Sequence, residues 1–147
     1  MHKLLYLDYN CFQRSFDDQQ QVRIRIESAA CEALFSFAAL GQVRLIWSFI
    51  HEDENALCPF LDRKIEVLKL SELCRVQVTP EAEILKLAEH LVREHRLMPK
   101  DALHMACAIR ANARVFITCD DDLRKKTAGK IGKLLIQYPQ EYVMSEA

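Results

Sequence analysis

Three aspartates stand where apolar segments of the chain begin or end. Asp8 closes the mostly apolar run 3–7, and Asp120 follows the mostly apolar run 115–119. Asp101 opens a helical run of mostly apolar residues. In an open parallel sheet, ligands bind at the carboxyl ends of the strands, so acids that are distant in sequence converge there. The positions of these aspartates therefore predict a site for a divalent metal ion.

The same turns carry further side chains with oxygen donors. They are Asn10, Ser48, Glu52, Asp53, Glu54, Thr118 and Asp122. Mg²⁺ and Mn²⁺ bind carboxylate oxygens and retain some of their waters, whereas acids held together without a cation repel one another. Four oxygen-rich turns are thus available for a hard-cation site at one end of one sheet.

The helix dipole offers a second explanation for some of these acids. An acid at the start of a helix is stabilised by the dipole, and this accounts for Glu52, Asp53, Asp121 and Asp122 without any function. Asp8 differs, because an acid at the end of a buried strand needs a partner that offsets its desolvation. Asp8 is therefore the strongest functional candidate among the acids.

The order of the predicted elements indicates an α/β fold. Strand-like runs occupy residues 4–8, 43–47, 75–78, 115–118 and, more weakly, 134–138. Helical patterns occupy residues 22–40, 50–57 and 60–73, and a further helix is predicted to start at the cap Thr79-Pro80-Glu81. The first of these helices stops at Gly41, and Pro59 separates the next two. Strands that alternate with helices imply a parallel sheet covered on both faces.

The composition indicates one globular domain over residues 1–147. Half of the 147 residues are hydrophobic and 28% are charged, with a net charge of −1. No apolar run reaches the roughly 20 residues that a membrane span requires. Residues 1–3 lead directly into a strand, which leaves no room for a signal peptide. We therefore expect a cytoplasmic protein that does not enter a membrane.

The cysteines, glycines and histidines narrow the possible chemistry. Six cysteines occur without a CxxC pair, so we interpret them as reduced thiols, with Cys119 near the mouth of the site. Only three glycines are present, which excludes the glycine-rich loops that bind dinucleotides or nucleoside triphosphates. His104 lies in an apolar run, which favours packing and hydrogen bonding inside the fold over metal binding.

These residues resemble the motifs of the PIN-domain nucleases, in particular the VapC-like toxins of type II toxin–antitoxin modules. Residues 7–10 look like the family's LDxN, residues 101–106 like its DALHLA helix, and residues 116–120 like its FLTTD. Residues 10–19 also resemble an NRPFDD-like stretch of one subgroup, with Ser15 in place of its proline. The resemblance extends from about residue 6 to residue 138.

The resemblance implies a three-layer α/β/α sandwich with a central parallel sheet. It implies that Asp8, Glu54, Asp101 and Asp120 bind Mg²⁺ or Mn²⁺ and hydrolyse an RNA phosphodiester. Glu52 is the alternative to Glu54 as the second acid. The supporting groups would be Asn10, Ser48, Thr118 and Asp122, and the RNA contacts would be Arg14, Lys100, Arg124 and Lys125. A cognate antitoxin and a homodimer are the expected partners.

Two other functions fit part of this pattern. A PIN fold that binds a partner protein without catalysis would need acids that are scattered or unable to hold a metal. A Mg²⁺-dependent phosphatase would also use aspartates at strand ends, but it normally has a DxD pair, and this chain has Asp8-Tyr9-Asn10. We therefore favour metal-dependent hydrolysis of RNA.

Overall fold

Six strands form one mixed sheet in the computed structural model, which describes residues 3–146. They are β1 (Lys3–Leu7), β2 (Val43–Ser48), β3 (Cys74–Val78), β4 (Val115–Ile117), β5 (Lys130–Ile131) and β6 (Leu134–Gln137). The strand order is β3-β2-β1-β4-β6-β5, and every neighbouring pair is parallel except β5 and β6. From β1, the chain first adds β2 and β3 on one side of the sheet and then adds β4, β6 and β5 on the other side. The boundary between β1 and β4 is therefore a topological switch point.

Eight helices connect and cover these strands within residues 3–146. They are α1 (Tyr9–Gln13), α2 (Val22–Ala39), α3 (Phe49–Ala56), α4 (Leu61–Ser71), α5 (Ala82–His95), α6 (Pro99–Arg110), α7 (Asp121–Thr127) and α8 (Pro139–Glu146). A 3₁₀ turn at Arg14–Phe16 follows α1. Asp8, Ser48 and Asp120 each cap the helix that follows a strand, so these three helices begin at the same edge of the sheet.

The alternation of side chains along the strands divides the core into two layers. On β1, Leu5 and Leu7 face the layer that contains α1, α2, α4 and α8, whereas Tyr6 faces the layer of α5, α6 and α7. Full burial of such apolar side chains contributes about 1.5–3 kcal/mol each to folding. The predicted three-layer α/β/α sandwich is confirmed.

Two details of the prediction are wrong. The sheet is not wholly parallel, because the two-residue strand β5 adds an antiparallel edge to β6. Helix α5 begins at Ala82, so Thr79 and Pro80 do not form its cap; Glu81 is the capping residue, in extended conformation, and its side chain makes no capping hydrogen bond. The Glu81 carboxylate instead accepts a hydrogen bond from Arg110 of α6, which holds it away from the start of the helix.

Within residues 3–146, no helix has the length and apolar character needed to span a bilayer.

Candidate functional site

Asp8 is buried at the carboxyl end of β1, beside the switch point. Its Oδ1 accepts the Tyr9 backbone N–H at 2.8 Å, and its Oδ2 accepts the Thr118 hydroxyl at 2.8 Å and the Asn10 amide at 3.2 Å. The Asp8 N–H donates to the Ile117 carbonyl at 2.8 Å, which fixes the end of β1 against β4. Both carboxylate oxygens are therefore held in place by groups from two adjacent strand ends.

Thr118 and Asn10 connect Asp8 to the turn that carries Asp120. The Thr118 hydroxyl oxygen accepts the Asp120 N–H at 3.0 Å while its proton goes to Asp8. The Asn10 side-chain oxygen accepts the Cys119 N–H at 3.2 Å. Asp120 caps α7 by accepting the Asp122 and Leu123 N–H groups with Oδ1 alone. Its Oδ2 makes no hydrogen bond within residues 3–146.

Glu54 is held by a chain of buried hydrogen bonds that begins on β2. The Tyr6 hydroxyl lies 2.7 Å from Ser48 Oγ and 2.6 Å from His104 Nδ1, and His104 Nε2 donates to Glu54 Oε1. When His104 is neutral, Ser48 donates to the Tyr6 hydroxyl, Tyr6 donates to His104 Nδ1, and His104 Nε2 donates to Glu54. With charged His104, Nδ1 donates to Tyr6, and Tyr6 donates to Ser48. Every member is thus satisfied in both protonation states, which orients Glu54 with groups from the protein core.

His51 is a fixed neutral histidine beneath this chain of hydrogen bonds. Its Nδ1 accepts the Ser48 N–H at 2.9 Å, so Nε2 carries the proton and donates to the Leu7 carbonyl at 2.7 Å. Burial lowers the pKa of His51 well below 6.5, and the neighbouring His104 lowers it further. His51 therefore joins β1 to the start of α3, next to Asp8, and carries no charge near neutral pH.

Glu52 and Glu54 point to different parts of the molecule. Glu52 is exposed and accepts the indole N–H of Trp47, whose ring packs in the core layer of α1 and α2. Glu54 faces His104 and interacts electrostatically with Asp8 and Asp101. The arrangement supports Glu54 as the second acid, the choice that the sequence resemblance favoured.

Like charges and burial act together on the acids. Burial raises the pKa of Asp8 from 3.8 to about 6; His104 and the Thr118 hydrogen bond lower it, while Asp101 and Glu54 raise it. Burial also raises the pKa of Asp101, and Asp120 and Glu54 add to this effect against the opposing charge of His104. Asp8, Glu54 and Asp101 are therefore close enough to repel one another, and Asp120 is close enough to repel Asp101.

The acids are spaced too widely for three of them to bind one ion directly. Within residues 3–146, no three acids each offer an oxygen within 4.8 Å of the others. Ligand oxygens of one Mg²⁺ lie at about 2.1 Å from the ion, hence within about 4.2 Å of one another. The donor set of hard carboxylate oxygens still fits Mg²⁺ or Mn²⁺, which commonly bind one or two carboxylates and fill the remaining positions with water.

The four predicted RNA contacts differ in their surroundings. Arg14 donates to the buried Glu27 and to Asp17, and Arg124 donates to Glu141. Lys100 and Lys125 are exposed and form no ion pair within residues 3–146. Lys100 lines a cavity of about 310 Å³ that also contacts Glu54.

Two further predicted groups, Asp122 and Ser48, form contacts within their own parts of the fold. Asp122 is exposed and pairs with Lys126 of its own helix at 3.1 Å. Ser48 accepts the His51 N–H at the start of α3 and contacts Tyr6. Tyr6 was not identified from the sequence, because a tyrosine between Leu5 and Leu7 has the ordinary pattern of a core strand.

Comparison with known proteins identifies relatives of this fold. The sequence profile described as PIN domain matches residues 15–129. The structure is similar to FitAcB from Neisseria gonorrhoeae, with 18% identity and a TM-score of 0.57 over 92% of this chain and 97% of that chain. It is also similar to VapBC2 from Rickettsia felis, bound to a DNA fragment from their promoter, with 15% identity and a TM-score of 0.58 over 92% and 98% of the two chains. No curated protein sequence matches significantly.

Proposed function

Because the chain belongs to the PIN-domain family, we propose that it is a Mg²⁺- or Mn²⁺-dependent endoribonuclease, acting as the toxin of a toxin–antitoxin pair. The observation that carries the proposal is the proximity of four acids at the switch point of the sheet. The charges of Asp101 and Glu54 raise the pKa of the buried Asp8, and those of Asp120 and Glu54 raise the pKa of Asp101. A protein keeps such mutually repelling carboxyl groups together when a cation or a reaction requires them.

Asp8 and Asp101 are the proposed direct ligands of one ion, with Glu54 and Asp120 binding it through water. When bound, the metal supplies Lewis-acid polarisation of the phosphodiester and lowers the pKa of a bound water. The wide spacing of the acids supports ligation by no more than two carboxylates to one ion.

The residues around the acids orient them. Thr118 and Asn10 donate to Asp8 Oδ2, and these two hydrogen bonds fix the orientation of the carboxylate. His104 holds one oxygen of Glu54, and the other forms no hydrogen bond within residues 3–146. Such supporting hydrogen bonds typically change metal affinity or activity by about 10–100-fold when they are removed.

Exposed lysines offset the repulsion between the acids and a polyanionic substrate. Lys100 follows Pro99 in the first turn of α6, next to Asp101, and Lys125 lies on α7 after Asp120. Each contact between such a lysine and an RNA phosphate adds to the affinity for RNA, and this contribution decreases as the salt concentration increases. Arg14 and Arg124 contribute less to this proposal, because their guanidinium groups are already paired with carboxylates.

Partners are the second part of the proposal. The VapC-like motifs, and the fold shared with FitAcB and VapBC2, support a cognate antitoxin. Exposed apolar side chains support a homodimer; they are Val22 and Ile26 on α2, Phe60 just before α4, and Leu61, Ile65 and Leu68 on α4. Sedimentation at high micromolar concentration tests the dimer, and a monomer there contradicts it. A short neighbouring gene with a DNA-binding amino-terminal segment would support the antitoxin.

The decisive test is cleavage of RNA by purified variants. We expect the wild type to cleave single-stranded or structured RNA only with Mg²⁺ or Mn²⁺. Asp101→Asn keeps the size of the side chain but removes a ligand charge, so it abolishes cleavage. Asp53→Asn, which changes an exposed acid of α3, is the control and retains it. If Asp8→Asn and Asp101→Asn both cleave like the wild type, the activity belongs to a contaminant, and a non-catalytic interaction module becomes the better explanation.

A further inference from the structure

Three cysteine side chains meet next to the candidate site, and two of them belong to residues that contact the Asn10 side-chain oxygen. Cys11 lies on α1, Cys31 on α2, and Cys119 in the turn between β4 and α7. Their sulfur atoms all lie within 4.8 Å of one another, and the residues are 1%, 1% and 6% exposed. Within residues 3–146, this is the one group of three or more cysteine, histidine or acidic side chains with the spacing of a metal site.

The arrangement differs from that of the other buried cysteines. Cys74 and Cys107 lie singly in the two core layers, where a thiol serves as a small apolar side chain. The three clustered cysteines come from three different elements, and their sulfur atoms face one another. The Cys11 thiol also lies 3.5 Å from the Ile117 carbonyl and from the Asn10 side-chain oxygen, and its single proton can be donated to only one of them.

The donor type selects a soft cation. Thiolates prefer Cu⁺, Zn²⁺ and similar ions, and they do not suit Mg²⁺. A metal–sulfur bond of about 2.3 Å places three sulfurs around one ion about 4 Å apart. The cluster reaches this spacing if the sulfur atoms move by less than about 1 Å. The acidic group and the thiol group therefore differ in chemistry, although Asn10 contacts both.

The number of donors distinguishes Cu⁺ from Zn²⁺. Structural Zn²⁺ sites almost always have four protein ligands in tetrahedral geometry. The described chain offers three, and a fourth cysteine, histidine or acidic side chain is not within range. Cu⁺ accepts three sulfur ligands in a plane. Arg14 and Arg23 lie near the cluster, but both pair with the buried Glu27, so their charges are already compensated.

We propose that Cys11, Cys31 and Cys119 form a binding site for one Cu⁺ ion. Each coordinating thiol releases its proton to solvent as its sulfur binds, and no electron is transferred. The site is independent of the proposed nuclease function, since it uses none of the four acids. It is adjacent to them, because Asn10 accepts the Cys119 N–H and donates to Asp8.

Competition for Cu⁺ tests the site directly. The full chain, reduced and free of oxygen, is titrated with Cu⁺ in the presence of a chromogenic Cu⁺ chelator. We expect one Cu⁺ per chain, retained in excess Mg²⁺. Cys31→Ser removes the ligand that is farthest in sequence from the acids, and it should weaken binding by about 100-fold or more. Cys74→Ser and Cys107→Ser are matched controls from the core and should bind like the wild type.

X-ray absorption spectroscopy of the copper-loaded wild type identifies the atoms bound to copper, and it needs no variant. Three sulfur neighbours and no nitrogen or oxygen neighbour are expected. Copper bound through nitrogen or oxygen, or binding that is lost in Cys58→Ser and kept in Cys31→Ser, would overturn the proposal. So would a wild type that yields all of its Cu⁺ to the chelator. If Cys31→Ser does not fold, the absorption spectrum and the stoichiometry of the wild type still give the answer.

Discussion

Asp8→Asn gives the most quantitative test of how the site is built. In the folded protein, burial raises the pKa of Asp8 from 3.8 to about 6, so the folded state holds the proton more tightly than the unfolded state. The stabilising contribution of protonated Asp8 is therefore present below the unfolded pKa and is lost as pH rises through about 6. This pKa difference corresponds to about 3 kcal/mol of stability lost between acidic and neutral pH.

The substitution removes this pH dependence but also changes hydrogen bonds. Asn accepts the Tyr9 N–H with its oxygen, but its amide nitrogen faces donors from Thr118 and Asn10, and this mismatch costs about 1–3 kcal/mol at every pH. At about pH 8, removing the buried charge gains about 3 kcal/mol, and the hydrogen-bond mismatch costs about 1–3 kcal/mol. We therefore expect metal-free Asp8→Asn to be as stable as the wild type or up to about 2 kcal/mol more stable. Near pH 4 the variant should be less stable than the wild type.

Urea unfolding across this pH range, in a chelator that removes divalent ions, measures both effects. The informative quantity is the change with pH in the stability difference between variant and wild type, because the hydrogen-bond mismatch cancels in it. We expect that change to be about 2.4 kcal/mol between about pH 4 and about pH 8, because pH 4 lies just above the unfolded pKa and part of the effect is already lost there. Asp53→Asn, at an exposed position, should show almost none. A difference that is equal at both ends of the range would refute the claim that burial and neighbouring acids raise the pKa of Asp8.

Three further predictions follow from the same geometry. Saturating Mg²⁺ or Mn²⁺ should raise the melting temperature of the wild type, because a ligand at 100 times its Kd adds about 2.7 kcal/mol of stability; a temperature shift of equal size in Asp101→Asn would contradict this. Glu54→Gln should reduce RNA cleavage by about 100-fold and Glu52→Gln by less than about 3-fold; the reverse ranking would make Glu52 the ligand. Tyr6→Phe keeps the ring but removes the bridge to His104, so urea unfolding should show a loss of about 1–3 kcal/mol, and unchanged stability would contradict the buried chain.

The position of the acids was largely predictable from local sequence. Asp8 and Asp120 were predicted at strand ends and lie there, because a short apolar run followed by a polar cap determines where a strand stops. Helix α2 ends next to Gly41, as its apolar spacing predicted. The PIN-domain resemblance read from these motifs is confirmed by the match to residues 15–129. The family and the fold class were therefore determined by patterns that extend over only a few residues each.

The surroundings of the acids were decided by the tertiary structure. Glu52 and Glu54 are both acids of α3, and only the orientation of that helix directs one to Trp47 and the other to His104. Arg14 is basic and near Asp8 in sequence, but its pairing with Glu27 depends on how α2 packs against the preceding turn.

The sequence by itself determined which chemical groups stand at the ends of the strands, because strand and helix boundaries follow from neighbouring residues. It did not determine which groups face one another. The sulfur atoms of Cys11, Cys31 and Cys119 come together only when α1, α2 and β4 pack. The pKa of Asp8 is raised because packing removes it from water and brings Asp101 and Glu54 near it. Desolvation and charge repulsion depend on distances through space, and those distances are fixed only when the whole sheet and its two helical layers have assembled.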